Sequence, residues 1–185
     1  NARLRKKREQ LVAQAQERIG DYLYPKISGE VGGRRRLIDQ PPILFHLDTK
    51  GFEKTVANAM AGYRSSLPEE RRVLFDRYRL EDLAIKAVGI GSVGTRCFVG
   101  LFFSAENHPL LLQFKEACAS VLEPYAGKSP YENEGQRVVT GQRLLQSASD
   151  IFLGWTHGRA GHDYFVRQLR DMKMSAPIEA DTSAQ

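Results

Sequence analysis

The chain has 185 residues, of which 42% are hydrophobic and 26% charged, enough apolar material for one packed domain, so disorder of the whole is excluded. A net charge of +5 and a pI near 9.3 favour an anionic partner such as nucleotide phosphate, nucleic acid or a membrane surface, without choosing among them. Cys97 and Cys118 form no CxxC pair and are too few for a disulfide framework, which points to a reducing, cytoplasmic setting.

No apolar run approaches the roughly 20 residues of a membrane helix, and no signal-peptide pattern opens the chain. Leu4, Leu11, Ala15, Ile19 and Tyr22 recur at helical spacing and predict an amphipathic helix ending before Pro25. Because the chain starts at Asn1 inside this charged pattern, the expectation is an interior piece of a longer polypeptide. Ser28 to Lys50 is turn-rich, with Gly29, Gly32, Gly33, Pro41 and Pro42, and reads as an extended linker with one or two short strands. Phe52, Val56, Met60 and Tyr63 mark a second helix, and Pro68-Glu69-Glu70 opens a third that runs to about Tyr78.

Three short strands follow as an antiparallel meander: Leu83 to Val88, Cys97 to Phe103, and Leu110 to Phe114. Asn133 to Ser147 is a helix candidate despite Gly135 and Gly141, since Val138 and Leu145 share a face. Ile151 to Trp155 and Tyr164 to Leu169 read as two further strands, joined by a turn with Gly158 and Gly161, and Ala176 to Gln185 as a tail. The fold class is α+β: an antiparallel sheet of about five strands with a packed helix, preceded by a helical N-terminal segment. The expected divisions are 1–78, helical segment and linker belonging partly to an upstream half; 79–173, a kinase-small-lobe-like domain; and 174–185, a tail leading to a downstream part.

Gly89-Ile90-Gly91-Ser92-Val93-Gly94-Thr95 is a G-x-G-x-x-G directly after a predicted strand. In a dinucleotide fold the third glycine opens a helix, but here Cys97 to Phe103 is aromatic and β-branched, so the glycines sit in a strand-turn-strand hairpin, as in a kinase glycine loop over ATP phosphates. The following strand ends in Lys115, as the kinase V-A-I-K strand does. Period-two alternation puts Gln113 and Lys115 on one face and Leu110, Leu112 and Phe114 on the other. Glu134 on the next helix is placed to hold the lysine, with Gln136 a neutral rival, and Leu169, Arg170 and Asp171 stand where a hinge would receive adenine. The plainer alternatives are a tight hairpin needing positive φ, an edge-strand lysine in water, and a solvent-facing carboxylate in a first helical turn.

The other features carry less. Arg3-Leu4-Arg5-Lys6-Lys7-Arg8 and Arg34-Arg35-Arg36 lack interleaved aromatics and suit a solvated or docking surface better than nucleic acid. His157, His162 and Asp163 lack further ligands nearby, so no metal is assigned. Ser92 has no G-x-S-x-G elbow, though its hydroxyl suits a phosphate contact, and Trp155 reads as core.

Blocks in order resemble one family: Val88 to Cys97, Leu112 to Ala117, Gly135 to Val139, Gly141-Gln142-Arg143, Ser149 to Trp155 and Phe165 to Lys173, with Gly33 to Arg36 and Asp39-Gln40-Pro41-Pro42 upstream. On these the chain is similar to the bacterial domain of unknown function 2252 family from about Tyr24 onward. The resemblance implies likeness to kinase-like and aminoglycoside-phosphotransferase-like proteins, with relatives carrying G-D-x-H-x-x-N-F-G and N-D-F-D segments upstream and varying between glutamate and glutamine at the position of Gln136. Neither segment occurs in this chain; their position upstream of the glycine loop in relatives would make the family look circularly permuted relative to ordinary kinases.

The function expected is therefore the ATP-binding part of a kinase-like phosphotransferase of unknown acceptor. Gly89, Gly91, Ser92, Gly94, Thr95 and Lys115 would hold the nucleotide, with ATP and magnesium as cofactors of the full-length protein. No catalytic residue is assigned and no turnover is expected from this piece. A pseudokinase-like scaffold is the second reading. Nucleic-acid binding through the basic helix ranks third.

Overall fold

A computed structural model describes residues 24–47, 52–87 and 94–169, and Ile27–Leu169 make one compact unit. The amphipathic helix expected before Pro25 lies outside the described residues. A short helical turn, α1 (Tyr24–Ile27), leads into a hairpin of β1 (Ser28–Val31) and β2 (Arg34–Leu37), then β3 (Leu44–Phe45). Gly32 and Gly33 form the hairpin's two-residue turn with φ of 59° and 74°, a left-handed pair that glycine tolerates best. The stretch expected to be mostly linker thus carries three short strands.

Two helices follow, α2 (Phe52–Ser66) and α3 (Glu69–Phe75). The third expected helix stops three residues early, because Tyr78 opens β4 (Tyr78–Lys86) and turns its ring onto Phe152, edge to face at 6.2 Å. Then come β5 (Cys97–Ser104), β6 (Pro109–Ala117), a four-residue helix α4 (Glu123–Ala126), α5 (Glu134–Leu145), β7 (Gly154–His157), a single 3-10 turn (Arg159–Gly161) and β8 (Asp163–Gln168). β7 starts later than expected. Asp150 is the reason: its Oδ1 accepts from the Phe152 amide and its carbonyl from Leu153, which curls Ile151–Leu153 into a turn.

The main sheet has six strands in the order β3-β4-β5-β6-β8-β7, every neighbouring pair antiparallel. One more strand joins than was expected, since β3 pairs with the end of β4. Both edges are short, two residues at β3 and four at β7.

Alternation gives the sheet two faces. On the first, Phe102, Leu110, Leu112, Phe114, Tyr164 and Val166 meet Tyr63 and Leu67 of α2 and Phe75 of α3 in the hydrophobic core. Tyr63 is fully buried, packs edge-on against Phe75 and Phe114, and donates its hydroxyl to the Phe152 carbonyl at 2.7 Å. That burial holds its phenol neutral far above the usual range. α2 also crosses β7 closely: a Cβ on Gly154 would stand 2.6 Å from Ser66 Oγ and 2.8 Å from the Tyr63 ring.

The second face carries Asp82, Ala84, Val99, Leu101 and Phe103, and the β1–β2 hairpin lies across it. Buried Asp82 ties the two layers together. Its Oδ2 accepts from the Leu37 amide at 2.9 Å, from Arg36 Nε at 3.3 Å, and contacts His46 Nε2 at 3.0 Å, while His46 Nδ1 reaches Asp39 at 2.7 Å. A carboxylate with three partners in a buried position is costly to remove, because its donors are left without acceptors. Asp82→Ala is expected to lower unfolding stability by about 3 kcal/mol in urea titration, with Asp82→Asn losing less.

Candidate functional site

The second face of the sheet holds the candidate site, because residues paired across antiparallel strands share a face. Cys97, Lys115 and Phe165 form one row across β5, β6 and β8, and Trp155 of β7 extends it. Val99, Gln113 and Arg167 form the next. Lys86 lies on this face too, two residues after Ala84, the partner of Val99. Lys115 and Arg167 are half-buried, whereas Cys97 and Gln113 are each only 3% exposed.

A polar string runs through these rows. Arg167 Nε donates to Gln113 Oε1 at 3.4 Å, and Gln113 Nε2 donates to Cys97 Sγ at 3.5 Å. Burial pushes the Cys97 thiol up, against the opposing pull of the Lys115, Lys86 and Arg167 charges and the Gln113 hydrogen bond. Lys115 has no carboxylate partner among the described residues. This leaves a concentration of positive charge on one strip of the sheet, which suits an anion.

α5 flanks that strip over β7 and β8. Its Arg143 guanidinium stands 5.9 Å over the Trp155 ring and donates to the Leu153 carbonyl at 2.7 Å. At the other end Asn133 is the N-cap, accepting from the Gln136 amide at 2.9 Å, and buried Asp163 accepts from the Glu134 amide at 2.7 Å and from Asn133 Nδ2 at 3.0 Å. His157 Nδ1 contacts the same Asp163 at 2.7 Å. The His157 and Asp163 pair thus anchors a helix, and among the described residues no group of three His, Cys, Asp or Glu side chains could hold a metal ion.

The two candidate partners of Lys115 are occupied differently from each other. Glu134 Oε2 accepts from Arg137 Nε at 2.6 Å, and Arg137 in turn donates to the Cys118 carbonyl, so this carboxylate is turned along its own helix. Gln136 gives its backbone amide to the N-cap and keeps a half-buried side chain. Of the glycine-loop candidates, Gly94 has φ of 83° and is exposed, as is Thr95; Gly89, Gly91 and Ser92 lie outside the described residues, as do Arg170 and Asp171. Leu169 continues the line of β8, its amide donating to Leu111 O at 3.0 Å. Sequence reasoning passed over Arg167 and Lys86. Only the register, set by which strands become neighbours, brings them to the face of Lys115.

The family model of uncharacterized proteins conserved in bacteria, DUF2252, matches residues 1–185. The chain belongs to this family. No curated protein and no solved structure matches it.

In this DUF2252 chain the fit of α5 to the sheet is tight enough to test. A Cβ on Gly135 would meet the Tyr164 carbonyl oxygen at 2.3 Å and its carbon at 2.6 Å, a backbone obstacle that cannot rotate away. Gly135→Ala is expected to cost about 1–3 kcal/mol and to raise amide exchange through Glu134–Val139 well above that of β5 and β6, as measured by hydrogen exchange.

Proposed function

We propose that this chain is the nucleotide-binding part of a kinase-like phosphotransferase, holding ATP phosphates between the glycine loop and the sheet face of Lys115. The single observation that carries the reading is the arrangement around β6. β4, β5 and β6 form a meander, α5 comes between β6 and β7, and β8 returns beside β6, an order that a kinase small lobe also has. In that frame the loop between β4 and β5 is the glycine loop, Lys115 stands on the third strand of the meander, and the intervening helix lies on the lysine's own face.

The chemistry of the strip agrees with phosphate. Lys115 and Arg167 supply positive charge without a metal, and a half-buried amine is worth more to an anion than one in open water. Magnesium fits less well: the described residues offer no carboxylate set for it, so the phosphates and residues elsewhere in the protein would have to hold that ion, whose chemistry when bound is to neutralise phosphate charge. The acceptor, and the groups that would position it, are assigned to no residue of this chain.

A scaffold is the second reading, and the Glu134–Arg137 pair favours it, since an active kinase-like site needs its helix carboxylate on the lysine. Calorimetric titration with ATP, with and without magnesium, separates the two. The nucleotide reading expects saturable binding that Lys115→Ala weakens at least fivefold and Arg167→Ala weakens by a smaller factor. Absence of binding at millimolar ATP in both the longest natural polypeptide and this chain would leave the scaffold reading standing.

A further inference from the structure

On the core face of the sheet, opposite Lys115, a half-open cavity of about 250 Å³ lies beneath α2. Phe52, Val56, Met60, Leu83, Phe98 and Phe114 supply most of its apolar wall. Since an apolar cavity of about 150 Å³ admits benzene, a space this size admits a ligand of roughly ten non-hydrogen atoms.

One end of the cavity is polar, where Arg96, just before β5, meets His162 of the β7–β8 turn at 3.2 Å and Arg159 of the same turn joins the lining. Among the described residues no carboxylate lines the space. Behind this end lies Glu116, its side chain 8% exposed, accepting from the Arg96 amide at 2.7 Å and contacting Arg96 Nη1 at 3.3 Å and His162 Nδ1 at 2.7 Å. Glu116 therefore serves Arg96 and His162, and Arg159 adds a further cation to the same lining. Arg159 sits exposed on the 3-10 turn and has no ion pair among the described residues. Tyr164 closes the wall beside this group, its phenol pushed up to about 12 by burial and then by the Glu116 charge, so it is a neutral donor at physiological pH.

We propose that this cavity binds a small amphipathic carboxylate, its apolar body against α2 and the core face of β4–β6 and its carboxylate at the Arg96 and Arg159 end. An apolar recess with a few convergent polar groups at one end is the usual form of a small-molecule site. The excess of cationic groups at that end selects an anionic head over a neutral one. A buried apolar body supplies affinity without orientation, and the two arginines supply orientation. The site goes beyond the nucleotide reading and is independent of it, since the sheet separates it from Lys115.

Calorimetric titration with octanoate, which has about the right number of heavy atoms, tests the proposal against octanol as the neutral control. Saturable one-to-one binding of octanoate is expected, with octanol at least fivefold weaker. Arg159→Gln should weaken octanoate at least threefold and leave octanol unchanged, Val56→Phe should abolish both by filling the space, and Lys115→Ala should change neither. If octanoate shows no saturation at millimolar concentration, or octanol binds as tightly, the proposal fails. It fails equally if a folded Val56→Phe protein binds as the parent does. Should Val56→Phe not fold, the unaltered affinity of Arg159→Gln for octanoate would by itself overturn the assignment.

Discussion

β6 is flanked by β5 on one side and β8 on the other and buries side chains toward both faces, so every other layer of the molecule follows from the need to cover it. Leu110, Leu112 and Phe114 demand an apolar cover, which α2 and α3 provide through Tyr63, Leu67 and Phe75. Gln113 and Lys115 demand something else. On their side the cover is split between the β1–β2 hairpin, fixed through Asp82, and α5, fixed through Asp163. Between those two covers the sheet presents cations.

The two anchoring carboxylates do comparable work by the same physics. Each is buried, each accepts a backbone amide from the element it fixes, and each meets a histidine, His46 at Asp82 and His157 at Asp163. A backbone amide bonded to an ionised acceptor is directional and strong, which sets the position of a hairpin or a helix end more narrowly than apolar contact does. The groups that flank the cationic strip are therefore held from the sheet itself.

Much of this was legible in the sequence, and the failures have identifiable causes. The meander of β4 to β6 and the face of Lys115 were readable because alternation of Leu, Phe, Gln and Lys has one period and one meaning. α5 was readable through Val138 and Leu145 despite its glycines, and Gly135 proves to be required by the Tyr164 backbone rather than tolerated. That β3 joins the main sheet was not readable, because a two-residue strand has no period to show which neighbour it pairs with. The end of α3 was placed too late because Tyr78 suits a helix as well as a strand, and its partner Phe152 is distant in sequence. Among candidate site residues, the Glu134 to Arg137 contact lay within one helical turn and so competed with any longer reach to Lys115. The cavity had no sequence signature at all, for its walls come from a helix, five strands and a turn that meet only after folding.

The short outer strands have a consequence for how the protein behaves among its own copies. A sheet exposes unpaired amides and carbonyls along its margins, and such margins recruit strands from other molecules when they are long and flat. Here one margin is the two residues Leu44 and Phe45, just after a pair of prolines, and the other is four residues of β7 lying close under α2. Neither offers a template long enough to seed a growing ladder. The molecule can keep a strand buried on both faces at its centre, with the stickiness that implies during folding, because its rims give a neighbouring chain so little to hold.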